Sequence, residues 1–210
     1  MHVTKSAVAG GAYLVLLALV PAGRGSAAPP NAGLPFDTEP DPPSYTFQLD
    51  VGMKMRTFPW LRFHMLGVGI YQPGQSYSVH FTKIPWFAPR KQQDADLSML
   101  DPLMWPKRYT YTPIGERDGN TLFALHALND PTLVSATVGI GPHGCARTLD
   151  ATYNDGTHVE SAVTLNKVGA FLLPTTMNAT IDEPHMAFTA NADFTNYTFG
   201  STQPDLGKSQ

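Results

Sequence analysis

From Tyr45 to Met55, apolar and polar residues alternate without a break. Tyr45, Phe47, Leu49, Val51, Met53 and Met55 are separated by Thr46, Gln48, Asp50, Gly52 and Lys54. A period of two places these sets on opposite faces of a β-strand. At about 3.3 Å per residue the run spans roughly 36 Å, about twice the common strand of ~5–6 residues. Gly52 falls on the polar face near the middle, where a missing side chain lets a long strand bend. A long, bent strand with one apolar face predicts a mainly β protein built on a curved antiparallel sheet, a half-open barrel. Such a sheet is filled by its own core or wrapped around something apolar.

Strand patterns then follow one another along the chain. The opening strand is read over 44–57 and the next over 61–71, where Gly67 and Gly69 permit a bulge or a close approach. A third covers 76–82, with Tyr77, Val79 and Phe81 on one face. Further candidates are 108–116, 121–128, 132–140, 145–153, 157–168, 171–181 and 186–199. Pro73-Gly74, Arg117-Asp118-Gly119-Asn120 and Asn154-Asp155-Gly156 carry hairpin-turn chemistry. Connections this short leave no room for crossover helices, so neighbouring strands are expected to be antiparallel.

Residues 83–107 break the series. They hold Pro85-Trp86-Phe87, then Leu97, Leu100, Leu103 and Met104 at helical spacing, then Trp105. Asp94 or Asp96 is placed to cap a helix start, and Pro102 limits its length. One or two short helical turns are expected here, acting as a lid or plug over the sheet with Trp86, Leu97, Leu100 and Trp105 turned inward. Long insertions among short turns are usually functional.

Residues 1–28 read as an export signal: Lys5, an apolar stretch from Ala7 to Val20, and small residues at Gly25-Ser26-Ala27-Ala28. The apolar stretch is short for a membrane span of about 20 residues. An uncleaved N-terminal anchor is the alternative. Residues 29–43 hold Pro29, Pro30, Pro35, Pro40, Pro42 and Pro43, an extended arm rather than a helix. A single β domain is expected over 44–199 and a flexible polar tail over 200–210. Removing Lys5 and Arg24 with the leader leaves 12 basic and 17 acidic residues, net −5 with neutral histidine. That balance argues against nucleic acid as a partner. Cys145 is the only cysteine, so no intramolecular disulfide holds the exported chain.

Candidate chemistry is sparse. His158-Val159-Glu160 puts imidazole and carboxylate on one strand face, His143-Gly144-Cys145 brings imidazole near thiol, and His64 and His80 lie on successive strands. None has the spacing of a structural zinc site, and surface histidines are the expected reading, with no metal and no cofactor. No G-x-S-x-G elbow, phosphate loop or dinucleotide fingerprint occurs, and Cys145 reads as a small buried apolar residue. Asp50 and Lys54 share the polar face of the opening strand as a solvated pair. What accumulates instead is soft apolar surface: Met53, Met55, Met65, Met99, Met104, Met177 and Met186, with Trp60, Trp86 and Trp105. Methionine adapts to irregular ligands such as acyl chains.

The C-terminal half resembles the periplasmic lipoprotein-carrier superfamily of LolA/LolB-like and outer-membrane lipoprotein-sorting proteins. The residues that carry the resemblance are Tyr153-Asn154-Asp155-Gly156, Val163, Val168-Gly169-Ala170-Phe171-Leu172-Leu173-Pro174 and Ala192-Asp193-Phe194-Thr195-Asn196-Tyr197. The resemblance implies a half-open barrel whose concave apolar face, plugged by short helices, binds acyl chains. The chain departs from the family in having a proline-rich arm where a helix usually precedes the first strand. No position matches the family's lid-closing arginine.

The expectation is an exported, non-enzymatic periplasmic binding protein that takes lipid or an acylated lipoprotein, with an inner- or outer-membrane partner. Its lining would be Phe47, Leu49, Val51, Met53 and Met55, then Phe63 and Met65, then Trp86, Leu97, Leu100 and Trp105. The alternative is a structural envelope protein with a filled β core.

Overall fold

The computed structural model describes residues 42–72, 78–85, 94–96, 105–141 and 144–200. Each of the ten candidate strands forms, its bounds shifted by no more than two residues: β1 (Tyr45–Met55), β2 (Arg62–Tyr71), β3 (Ser78–Lys83), β5 (Tyr109–Arg117), β6 (Asn120–Ala127), β7 (Leu133–Ile140), β8 (Ala146–Tyr153), β9 (His158–Val168), β10 (Phe171–Asp182) and β11 (Ala187–Phe199). A short eleventh strand, β4 (Asp94–Asp96), adds to them, with one helical turn, α1 (Trp105–Arg108).

All eleven strands join one sheet in the order β4-β3-β2-β1-β11-β10-β9-β8-β7-β6-β5. Every neighbouring pair is antiparallel, as the short turns require. β4 and β5 are its two edges, so the sheet is a curved, unclosed one rather than a complete barrel. Asp118 and Gly119, both at positive φ (52° and 73°), make the β5–β6 turn, and Gly156 (φ 85°) helps make that between β8 and β9.

Two expectations need correction. Asp94 and Asp96 do not begin a helix. Residues 94–96 pair with β3 through Ser78–Asp96, Val79–Ala95 and His80–Asp94, so their backbone groups go to the ladder of an otherwise unpaired strand. The single helical turn comes later, at Trp105. Nor does Gly52 mark the bend in β1: the register runs unbroken from Gln48 to Met55 against β11. The irregularity lies between Thr46 and Gln48, where Phe47 faces both Asn196 and Tyr197 of β11. Asn196 takes up the extra residue in the left-handed region (φ 53°), and its amide donates to Gln48 Oε1 at 2.6 Å. Bulges of this kind raise twist and bend the sheet. Others fall between Pro174 and Thr176 and between Pro113 and Gly115.

The alternation in β1 is realised residue for residue. Tyr45, Phe47, Leu49, Val51, Met53 and Met55 are all buried, and their polar neighbours are not. Gly69 is a close approach, as its sequence position suggested: the Phe47 ring lies over it, and a Cβ there would stand 2.0 Å from the ring tip. Phe47 has no free direction to swing, being packed against Tyr45, Phe194 and Tyr197. Gly69→Ala is therefore expected to destabilise the fold by about 1–3 kcal/mol, the usual cost of overpacking. Urea denaturation of this variant, and of Gly69→Ala combined with Phe47→Leu, checks it. The smaller side chain should recover part of the loss.

Candidate functional site: the apolar inner face

Registers across the sheet assemble the apolar residues into continuous rows. One row runs Phe63, Met53, Ala190, Ala179, Ser161, Leu149, Val138, Phe123 and Pro113, from β2 to β5. The next runs Met55, Phe188, Ile181, Val159, Ala151, Ala136, Leu125 and Tyr111. On the other side lie Met65, Val51, Ala192, Met177 and Val163. Because side chains on one face repeat every second residue, a single regular ladder carries the pattern of β1 across the whole sheet.

Of the expected lining residues, Phe47, Leu49, Val51, Met53, Met55, Met65 and Trp105 are buried in this one cluster, and the half-buried Phe63 packs against it. Trp86, Leu97 and Leu100 lie outside the described residues. Trp105 is fully buried on α1, with its ring against Tyr111 at 5.5 Å and Phe123 at 5.6 Å between centroids. The helical turn thus attaches to the β5–β6 end of the face. Strand-by-strand reading did not show that small residues gather at its centre: Ala190, Ala192, Ala179, Ser161, Ala151 and Ala136 are buried there, with larger side chains toward the margins. Each is unremarkable in its own strand, and only the register brings them together.

An aromatic cluster closes one end of this face. Tyr45 meets Tyr71 at 4.9 Å and Tyr197 at 5.6 Å, and Phe171 meets Phe199 at 5.2 Å. Burial drives the Tyr197 phenol well above its ordinary pKa, and its hydroxyl donates to the Pro174 carbonyl. At the opposite end, burial also raises Tyr153, aided by Tyr109, Asp130 and Asp155. Cys145 is buried beside β8 as a small apolar side chain.

The outer face is polar. Asp150, Glu160, Asn178 and Asn191 floor an open groove of about 730 Å³ walled by Ile114 and Leu122. His158 and Glu160 do share a face, and the register supplies a third group that no strand pattern reveals: Asp150, directly across from Glu160 on β8. His158 Nε2 lies 3.4 Å from Glu160 Oε1, and Nδ1 lies 3.2 Å from Thr152 Oγ1 and 3.8 Å from Asp150 Oδ1. All three side chains are at least a third exposed, and both ring nitrogens already have neighbours. This is a solvated polar network. Asp50 reaches His64, at 3.1 Å. His80 pairs with Val68, four residues along β2 from His64, so the two imidazoles are not brought together by the ladder. His143 lies outside the described residues.

An unclosed antiparallel sheet of eleven strands with one buried apolar face and a helical turn attached to it is the LolA-like fold. Three solved structures share it. They are a LolA superfamily protein from Nitrosomonas europaea (TM-score 0.53, 9% identity, covering 82% of this chain and 92% of that one), a DUF1329 family protein from Desulfovibrio piger (0.55, 10%, 80% and 89%), and an outer membrane lipoprotein-sorting protein domain from Vibrio parahaemolyticus (0.53, 8%, 79% and 90%). No family model matches the chain, and no curated protein matches it by sequence. At these identities the likeness is one of fold.

Glu183, in the β10–β11 turn, is the group whose protonation the fold alters most usefully. Burial, with the Asp155 carboxylate nearby, pushes it from 4.5 up to about 7. Its Oε1 has no hydrogen-bond partner among the described residues. The fold therefore disfavours the ionised form. Stability is highest while Glu183 is protonated below about pH 4.5, declines as pH rises, and levels off above about 7. Glu183→Gln, which cannot ionise, should be more stable than wild type at pH 8, and the difference should shrink toward pH 4.5. Urea midpoints across this range check it; a difference independent of pH would rule out the assigned cause.

Proposed function

We propose that this chain is an exported, non-catalytic carrier that sequesters acyl chains, of free lipid or of a lipoprotein, against the inner face of its sheet. The observation that carries this reading is the continuous apolar face held by a sheet that does not close. Its central small residues favour room along the middle of the face for a chain-like ligand, and methionines 53, 55, 65 and 177 give adaptable walls. Each methylene moved from water to such a surface contributes about 0.8 kcal/mol. The same fold occurs in a domain described as an outer membrane lipoprotein-sorting protein. The leader pattern of residues 1–28 supports export to the periplasm, and the proline-rich 29–43 stretch supports an extended arm ahead of the domain. Trp86, Leu97 and Leu100 are proposed to complete the lining as a lid.

A second reading, an envelope scaffold with a filled core, draws support from the near-complete burial of the inner-face side chains. The two differ in whether the interior holds room for an acyl chain, since a core packed at normal density has none.

Mass spectrometry of organic extracts from the purified mature domain should recover lipid, and a fluorescent fatty acid should bind saturably at micromolar concentration. Met53→Asp, which puts a charge on the apolar face, should abolish that binding. Asn191→Asp, which adds the same charge to the outer face, should leave it intact. Absence of both extracted lipid and probe binding in the wild type would replace the carrier with the scaffold.

A further inference from the structure

The β1–β2 turn ends in exposed aromatic surface. Phe58 is 45% exposed, Trp60 78% and Leu61 37%, three large apolar side chains within four residues. Single exposed apolar residues are ordinary, but a contiguous group of this size marks a contact surface. Turns at the same end of the sheet have different chemistry: Asn129-Asp130 and Asn154-Asp155-Gly156 are what solvent exposure usually selects.

The tip is also braced. Leu61 N donates to Phe58 O at 2.9 Å, Met55 N to Leu61 O at 3.1 Å, and Arg56 N to Ala187 O at 2.7 Å. The Phe58 and Trp60 rings meet edge-on with centroids 5.4 Å apart. A turn fixed in this way presents its apolar side chains at little further cost in conformational entropy.

Charge decides which partner fits. Lys54 and Arg62 face one another across β1 and β2 just behind the tip, and both are exposed. Arg56 adds a third cation and holds Asp182 at 2.6 Å. This collar is cationic on a chain whose formal net charge is −3. Aromatic rings that settle at the level of lipid headgroups, ringed by cations that attract anionic lipid, match a bilayer interface better than a protein surface.

We propose that the Phe58–Trp60–Leu61 tip is a docking prong that inserts into the interface of an anionic lipid bilayer. Behind it, Met55 and Phe188 begin the buried inner face, so a docked tip sets that end of the face against the membrane. Docking stands on the tip alone; its use in passing an acyl chain between bilayer and sheet rests on the carrier reading above.

The test is flotation of the full mature chain with vesicles of pure phosphatidylcholine and of equal parts phosphatidylcholine and phosphatidylglycerol. Wild type should float with the anionic vesicles, less so as salt rises. The Phe58→Ser/Trp60→Ser double variant should lose about tenfold or more in vesicle affinity. Lys54→Glu/Arg62→Glu should lose binding to the anionic vesicles specifically. Both variants should keep the wild-type urea midpoint, since the altered side chains are exposed, and the tip variant should still bind the fluorescent fatty acid. Undiminished flotation of the tip variant, or no flotation of the wild type, overturns the prong, and retained probe binding then leaves the carrier reading standing. Sedimentation that shows a wild-type dimer reduced to monomer by the tip variant, without vesicle binding, also overturns it in favour of a second copy of the chain as the occupant.

Discussion

The structure depends on the pairing of β1 with β11. The first four strands form one run of adjacent antiparallel neighbours and the last seven form another, and this ladder alone joins them. It is long-range in the chain, bringing Tyr45 beside Phe199, so closing it costs more entropy than any hairpin. Ten registered pairs offset that cost, together with the aromatic packing of Phe47 on Phe194 and of Tyr45 on Tyr197 and Phe199. Without it, the apolar rows of the inner face would stop at β1 on one side and at β11 on the other.

The same ladder introduces the curvature. A register that ran straight to the end would keep the two halves flat against each other, but the extra residue at Asn196 bends the join. Bulges near Thr175 and Ile114 act likewise farther along the sheet. Because the sheet stays open between β4 and β5, it keeps one protected apolar face without closing. The helical turn carrying Trp105 packs at the β5–β6 margin of that face, where Tyr111 and Phe123 meet it.

The two faces then divide the work by chemistry. Apolar burial concentrates on the inner face, while Asp150, His158, Glu160, Asp50 and His64 hydrogen-bond one another in solvent on the outer one. One end of the sheet is closed by tyrosine and phenylalanine rings. The other carries the braced aromatic tip, the Arg56–Asp182 pair and the proton-sensitive turn at Glu183. An object with one apolar face and two unlike ends suits directional handling of a ligand that is itself apolar along its length and polar at one end.

The strands were legible in the sequence because their signal is local: a period of two, interrupted by glycine, proline, asparagine and aspartate. β1 is the clearest case, with six buried and five unburied residues falling where alternation puts them. Gly69 was legible as a close approach for the same reason, although its partner, Phe47, was not. Residues 94–96 were misread because three residues carry no period, and what makes them a strand is the unpaired edge of β3. The strand order was invisible, since no pattern within Tyr45–Met55 names Phe199 as its neighbour. So were the cluster of small residues at the centre of the inner face and the meeting of Asp150 with His158 and Glu160, for both are made by register between strands. The sequence by itself determined which residues turn inward, because side-chain direction along a strand is set by the covalent chain. Only the tertiary structure decided which inward residues meet, because strand pairing is a contest among backbone groups alike in every strand, settled by turns, bulges and packing.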